Sequence, residues 1–119
     1  MPEFVIQKHE KQGEPVHWDL MLEDGDVLKT FRLDRPPERL SGEVTRAVPI
    51  FDHEKRFLTY EGPVNKGLGQ VRIEERGDYE TDSQTPTQWL LRLSGRILKG
   101  DFLLGRDQEN NWTFQKVFL

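Results

Sequence analysis

Apolar residues recur at alternate positions through much of this chain, the period of strands with one face buried and the other wet. Residues 4–9 form a first such run, and Gly13 and Pro15 mark the following residues 10–15 as a hairpin loop. Residues 17–23 form a second run, with Trp18, Leu20 and Leu22 on one face and His17, Asp19, Met21 and Glu23 on the other. Asp24-Gly25-Asp26 signals a tight turn, and residues 27–33 give a third strand and an early meander. Residues 34–50 hold Pro36-Pro37, Gly42 and Pro49 and follow neither period, which predicts a long crossover loop. Beyond it we expect a turn or one helical turn at residues 52–55, strands at 57–60 and 70–76, and a polar loop at 77–87. Residues 89–93, 97–104 and 112–118 read as three closing strands. No segment carries a long helical period. The fold class is therefore mainly β, a barrel or a sandwich of seven or eight short strands, formed by residues 1–119 as a single domain.

The polar face of the second strand carries the candidate chemistry. The chain has three histidines, and two of them flank this strand: His17, two residues before Asp19, and His9 upstream on the neighbouring strand. An imidazole and a carboxylate two apart on a strand point the same way. With a second imidazole from the hairpin partner they make a two-histidine, one-carboxylate set with open positions, suited to one divalent cation. The bland alternative is three solvated side chains on a sheet face. His53, after Asp52, reads either as a turn histidine beside an N-cap aspartate or as an acid–base group that titrates near working pH. Arg32, Arg35, Arg39 and Arg46 are grouped between positions 32 and 46; of these, Arg35 and Arg46 read either as solvated charges or as phosphate contacts. Glu23 is placed to orient His17 or His9, or to cap the turn at Asp24-Gly25. Trp18, Trp89 and Trp112 read as core residues rather than base-stacking platforms.

Composition narrows the picture in three ways. Charged residues make up 32% of the chain against 34% hydrophobic, so the core must be compact, while three tryptophans and seven phenylalanines argue against disorder. The absence of cysteine excludes disulfide scaffolds and cysteine-based zinc sites and suits a cytoplasmic location. A net charge of −4 argues against nonspecific coating of nucleic acid but leaves room for a local basic groove. No apolar stretch is long enough to span a bilayer and no signal segment is expected.

Taken in order, several stretches resemble the 3′-phosphoesterase domain of bacterial DNA ligase D and its stand-alone relatives. They are Gln7-Lys8-His9, His17-Trp18-Asp19-Leu20-Met21-Leu22-Glu23, Val27-Leu28-Lys29, Ala47-Val48, Asp52-His53, Tyr60-Glu61-Gly62 and Gly95-Arg96-Ile97-Leu98-Lys99-Gly100. The resemblance covers nearly the whole chain. It implies a small antiparallel β-barrel of about eight strands, with a long crossover loop and little helix. It also implies a manganese-dependent activity that trims a terminal ribonucleotide and removes a 3′-phosphate from nucleic-acid ends in DNA repair. By that resemblance His9, His17 and Asp19 are the metal ligands and His53 touches the scissile phosphate. Arg35 stands at a phosphate-contacting basic position, and Arg46 lies one position from another. Zinc or another divalent metal is an alternative to manganese. The implied partners are primer–template DNA or RNA–DNA 3′ ends and a DNA ligase or polymerase, with the chain as a monomer and no membrane contact.

Two positions depart from the family pattern. Met21 stands where the family has an arginine, which removes a bidentate phosphate clamp, and Phe57 stands where it has a tyrosine, which removes a hydroxyl. Two functional readings follow: an enzyme, or a metal-containing module that binds phosphorylated ends or a repair partner without turnover.

Overall fold

The alternating stretches pair into one antiparallel sheet in the computed structural model, which describes residues 1–118. β1 (Glu3–Lys11), β2 (His17–Asp24) and β3 (Val27–Leu33) form the expected meander. There follow a short helix α1 (Pro37–Leu40), β4 (Thr45–Glu54), β5 (Gly62–Val64), β6 (Gly69–Gln84), β7 (Gln88–Gly95), β8 (Lys99–Arg106) and β9 (Trp112–Val117). The order is β1-β2-β3-β4-β9-β8-β7-β6, and β6 pairs back onto β1, so these strands close into a ring; β5 is a short addition to β6. Closing the ring removes the open edges that an eight-stranded sheet would otherwise present. No helix among the described residues is long and apolar enough to cross a membrane.

Strand alternation sends two sets of apolar side chains to opposite sides of the wall. The inward set includes Phe4, Ile6, Leu20, Leu22, Leu91, Leu93, Phe102, Leu104 and Phe114, all essentially inaccessible to solvent. Leu40 of α1 and Trp89 join them, and Trp18 and Trp112 pack against them, so all three tryptophans serve the core. A smaller outward cluster of Val5, Met21, Leu28 and Leu58, with Phe57 and Ile73 against it, covers the outside of β1, β2 and β3. The polar face of the second strand is therefore only half wet, because Met21 is buried there.

Four local expectations are corrected. Residues 57–60 are not a strand: Lys55–Leu58 is a 3-10 turn, because Leu58 has to reach the outward cluster. The buried Gln7 side chain staples that turn, donating from Nε2 to the carbonyls of Phe57 at 2.8 Å and Tyr60 at 3.0 Å. Residues 52–54 are no turn, since β4 runs on to Glu54 paired with Val27. Residues 77–84 are not a loop but the second half of β6, paired with β7 from Gly77↔Gly95 to Gln84↔Trp89; past Tyr79 their side chains are exposed, so no apolar alternation marks them. The crossover is shorter than expected, because α1 and the start of β4 occupy part of residues 34–50.

A β-bulge in β6 opposite Ile6 and Gln7 puts one extra residue in that strand. As a result the neighbours Glu74 and Glu75 both turn inward. Glu74 accepts from Trp18 Nε1 at 2.9 Å. Glu75, 1% exposed, accepts the backbone N–H groups of Arg76, Arg96, Ile97 and Leu98 at 2.6–3.0 Å. The amides of residues 96–98 are thereby drawn out of the sheet, and β8 begins at Lys99 rather than at residue 97. Glu75→Ala strands four donors and should lower stability by about 3 kcal/mol. Urea denaturation should show a lower midpoint at unchanged slope; a loss under about 1 kcal/mol would mean that water replaces the carboxylate.

Candidate metal centre and its cleft

Pairing register brings the ligand-type residues together. His9 stands opposite His17, and Gln7 opposite Asp19, all on the outward face of β1 and β2. His9 Nδ1 lies 2.9 Å from His17 Nε2 and 3.8 Å from Asp19 Oδ2, and His17 Nε2 lies 3.5 Å from Asp19 Oδ1. Atoms bound about 2.1 Å from one ion stand about 3.0–3.4 Å apart, and these separations of 2.9–3.8 Å lie around that range, within a few tenths of an ångström of a candidate ligand set. One donor atom from each residue falls within 4.8 Å of the others. The 2.9 Å imidazole pair is a hydrogen bond carried by one proton, whose place a cation would take with both lone pairs turned on it.

Unmet polar atoms surround the cluster. Asp19 Oδ1, His9 Nε2 and Gln7 Oε1 are buried without a hydrogen-bond partner. Gln7 spends its amide N–H groups on Phe57 and Tyr60, which fixes its oxygen as an acceptor on the cleft wall. Burial by itself raises the Asp19 carboxyl; the facing imidazoles of His17 and His9, then the charges of His17 and Arg32, outweigh it and bring the group down to about 2. Asp19 is thus a charged acceptor throughout the neutral range. The chemistry of this donor set, two imidazoles and an ionised carboxylate, suits a divalent cation of the manganese or zinc kind.

His53 reaches the same cleft through a second irregularity. Thr30 pairs with Ile50, but Leu28 pairs with His53, so β4 carries an extra residue between them. In a regular ladder His53 would share a face with the buried Ala47; the bulge turns it outward beside the cluster. Its Nδ1 lies 3.1 Å from the Phe51 carbonyl, an obligate acceptor, and therefore carries the proton. The same N–H faces Thr30 Oγ1 at 2.9 Å, and that hydroxyl donates onward to the Leu28 carbonyl at 3.0 Å. Nε2 is left free for the cleft. Burial pushes the His53 pKa below the ordinary histidine value; Asp19 and the Phe51 carbonyl raise it back in part, and His9 and Arg32 lower it.

The cleft has a volume of about 480 Å³ and is lined by Gln7, His9, His17, Asp19, Arg32 and His53 among others. A smaller groove shares His17 and Arg32 with it and is lined further by Val16, Val48 and Arg46. Arg46 is thus beside the site. Arg35 is not: its Nη1 donates to the Val44 carbonyl at 2.6 Å, and it lines neither depression. Glu23 is also remote, at the far end of β2, where it accepts from the Glu3 N–H at 2.9 Å and pairs with Lys55 at 2.8 Å; it orients neither histidine. Two polar residues beside the cluster, Gln7 and Arg32, were given no role at the site by the sequence. Both were open to counting: Gln7 is two residues before His9, and the turn at Asp24-Gly25 fixes the register that sets Arg32 opposite Asp19.

Fold and site together define a closed β-barrel with a candidate metal centre on its outer wall. The profile of the DNA ligase D 3′-phosphoesterase domain matches residues 7–106, and the chain belongs to that family. It is also 28% identical, over 128 aligned positions, to the multifunctional non-homologous end joining protein LigD of Mycolicibacterium smegmatis. That match covers 96% of this chain but only 16% of the relative's length.

NMR titration should place the His53 midpoint below the ordinary histidine value of about 6.5. Asp19→Asn should lower it further, since the carboxylate favours the imidazolium. A lowered value in the folded state means that neutral His53 contributes stability above the ordinary value, lost as pH falls through the folded one. A midpoint above 6.5 would contradict the burial.

Proposed function

We propose that this chain is a metal-dependent phosphoesterase acting on nucleic-acid 3′ ends, removing a 3′-phosphate or a terminal ribonucleotide. The observation that carries this reading is the convergence of His9 Nδ1, His17 Nε2 and the Asp19 carboxylate in a cleft that also holds His53. Family membership supports 3′-end processing in repair as the setting. Manganese fits the mixed nitrogen and oxygen donors, with zinc as the competitor. When bound, the ion supplies positive charge against the phosphoryl oxygens.

The chain's own groups do the rest. Water attacks phosphorus, the P–O3′ bond breaks, and O3′ leaves with a proton. His53 presents Nε2 to the phosphate while its Nδ1–H holds the ring in place against Phe51 and Thr30. The ring would have to take up a proton at Nε2 before giving it to O3′, and its lowered pKa makes that imidazolium the stronger proton donor. Gln7 Oε1 is a fixed acceptor on the same wall, suited to orienting the attacking water.

One observation favours a second reading, a binding module without turnover. Met21 is buried among Val5, Leu28 and Leu58, and Phe57 lies against the same cluster, so neither offers a polar group to phosphate. A primer–template with a labelled 3′-phosphate or 3′-ribonucleotide end, supplied with manganese, separates the two. The enzyme reading expects release of the end group, its loss in His17→Ala and with a chelator, and a fall of about 10²–10⁴-fold in His53→Ala. No turnover by folded, manganese-bound protein overturns the enzyme and leaves the module.

A further inference from the structure

The phosphate that this cleft would receive needs a cation, and β2 does not supply one. Along its outward face the strand offers His17, Asp19, Met21 and Glu23, with Met21 buried and Glu23 paired to Lys55. Two other cations of the cleft are engaged nearby: Lys11 lies 3.8 Å from Glu14, and Arg56 lies 3.6 Å from Glu54 with its guanidinium over the Phe57 ring at 4.4 Å. Arg32 differs from both in its partner, which is a carboxylate of the cluster itself. Its one ion-pair contact among the described residues is Asp19, Nε to Oδ1 at 3.8 Å, too long for a hydrogen bond. Its guanidinium is half-exposed and, like those of Arg46 and Arg56, donates no hydrogen bond within the protein among the described residues, whereas Arg35, Arg39, Arg76 and Arg92 all donate to protein oxygens.

We propose that Arg32 is the cation that grips the terminal phosphate, reached from β3 across the metal cluster rather than from β2. This rests on the reading of the cleft as a 3′-end site. Register fixes the placement: Arg32 is directly opposite Asp19, and it lines both the main cleft and the smaller groove, at their junction beside His17. With Asp19 and the two histidines holding a cation, the carboxylate's charge would be taken up there and the guanidinium would lose its single partner. Arg32 then has a planar fork of N–H donors turned on the cleft, the geometry that matches two phosphate oxygens. Arg32 thereby ties discrimination of a 3′-phosphate from a 3′-hydroxyl to occupancy of the cluster.

Fluorescence anisotropy tests this, using a labelled primer–template ending in a non-hydrolysable 3′-phosphonate or in a plain 3′-hydroxyl, with manganese present. Wild type should prefer the phosphonate end. Arg32→Ala should cut that preference at least about tenfold, and Arg32→Lys should keep part of it, having charge but no fork. Arg92→Ala, paired with Asp101 elsewhere, should change nothing. Manganese affinity, by titration, should be unchanged in Arg32→Ala within about threefold, which a collapsed cluster would not allow. A preference retained by Arg32→Ala, or lost together with manganese binding, overturns the role of Arg32 and leaves the site reading standing. No manganese binding and no end preference in wild type overturns both.

Discussion

A slip of one residue in the pairing of β1 with β2 would send every side chain of one strand to the wrong side of the wall. His9 would then point into the barrel and Ile6 out of it. Nothing else in the structure could hold two imidazoles 2.9 Å apart under that change. The same constraint passes on to β3, where the register that sets Glu23 against Leu28 also sets Arg32 against Asp19. The register is secured by burial on both faces: Phe4, Ile6, Leu20 and Leu22 are pulled inward, and Val5, Met21 and Leu28 outward. The two-sided core, rather than the polar residues, keeps the cluster assembled.

Where regular pairing alone would fail, the fold uses bulges. One in β6 turns two adjacent glutamates inward, so that Glu75 can gather the amides of residues 96–98 and shape the approach to β8. The other, in β4, turns His53 outward to join the cleft. Each breaks the ladder locally, the first redirecting two side chains and the second one. The 3-10 turn at Lys55–Leu58 belongs to the same economy of shape: it closes the outward cluster with Leu58 and exposes two carbonyls that fix the Gln7 amide.

This division explains what could be read from the residues alone. The faces of β2 were legible because its alternation is strict, and His17 with Asp19 followed from it. The meander and the closing strands were legible for the same reason. The strand at residues 77–84 was not, because its side chains past Tyr79 face solvent and leave no apolar period. Phe57 and Leu58 looked like strand residues because their apolar character speaks of burial but not of the turn that achieves it. Arg35 looked like a phosphate ligand until the loop supplied its partners in Val44 and Glu43, contacts that depend on how α1 folds the chain back. His53 could be suspected from its type, but its direction is set by a bulge that no spacing announces.

The ring is unevenly sewn. β4 joins β9 through only two residue pairs, Thr45↔Phe114 and Arg46↔Thr113, while β1 and β2 are flanked along their length by β6 and β3. Beyond Arg46, β4 is held on one side alone, by β3, and it is this unsupported stretch that carries His53 and the exposed Phe51 stacked on it at 4.7 Å. The cleft is therefore walled unevenly: the side bearing His9, His17 and Asp19 is paired along both flanks, and the side bearing His53 along one. On the proposed reading of the cleft, any adjustment to ends of different girth falls to the His53 side and leaves the three converging groups in place.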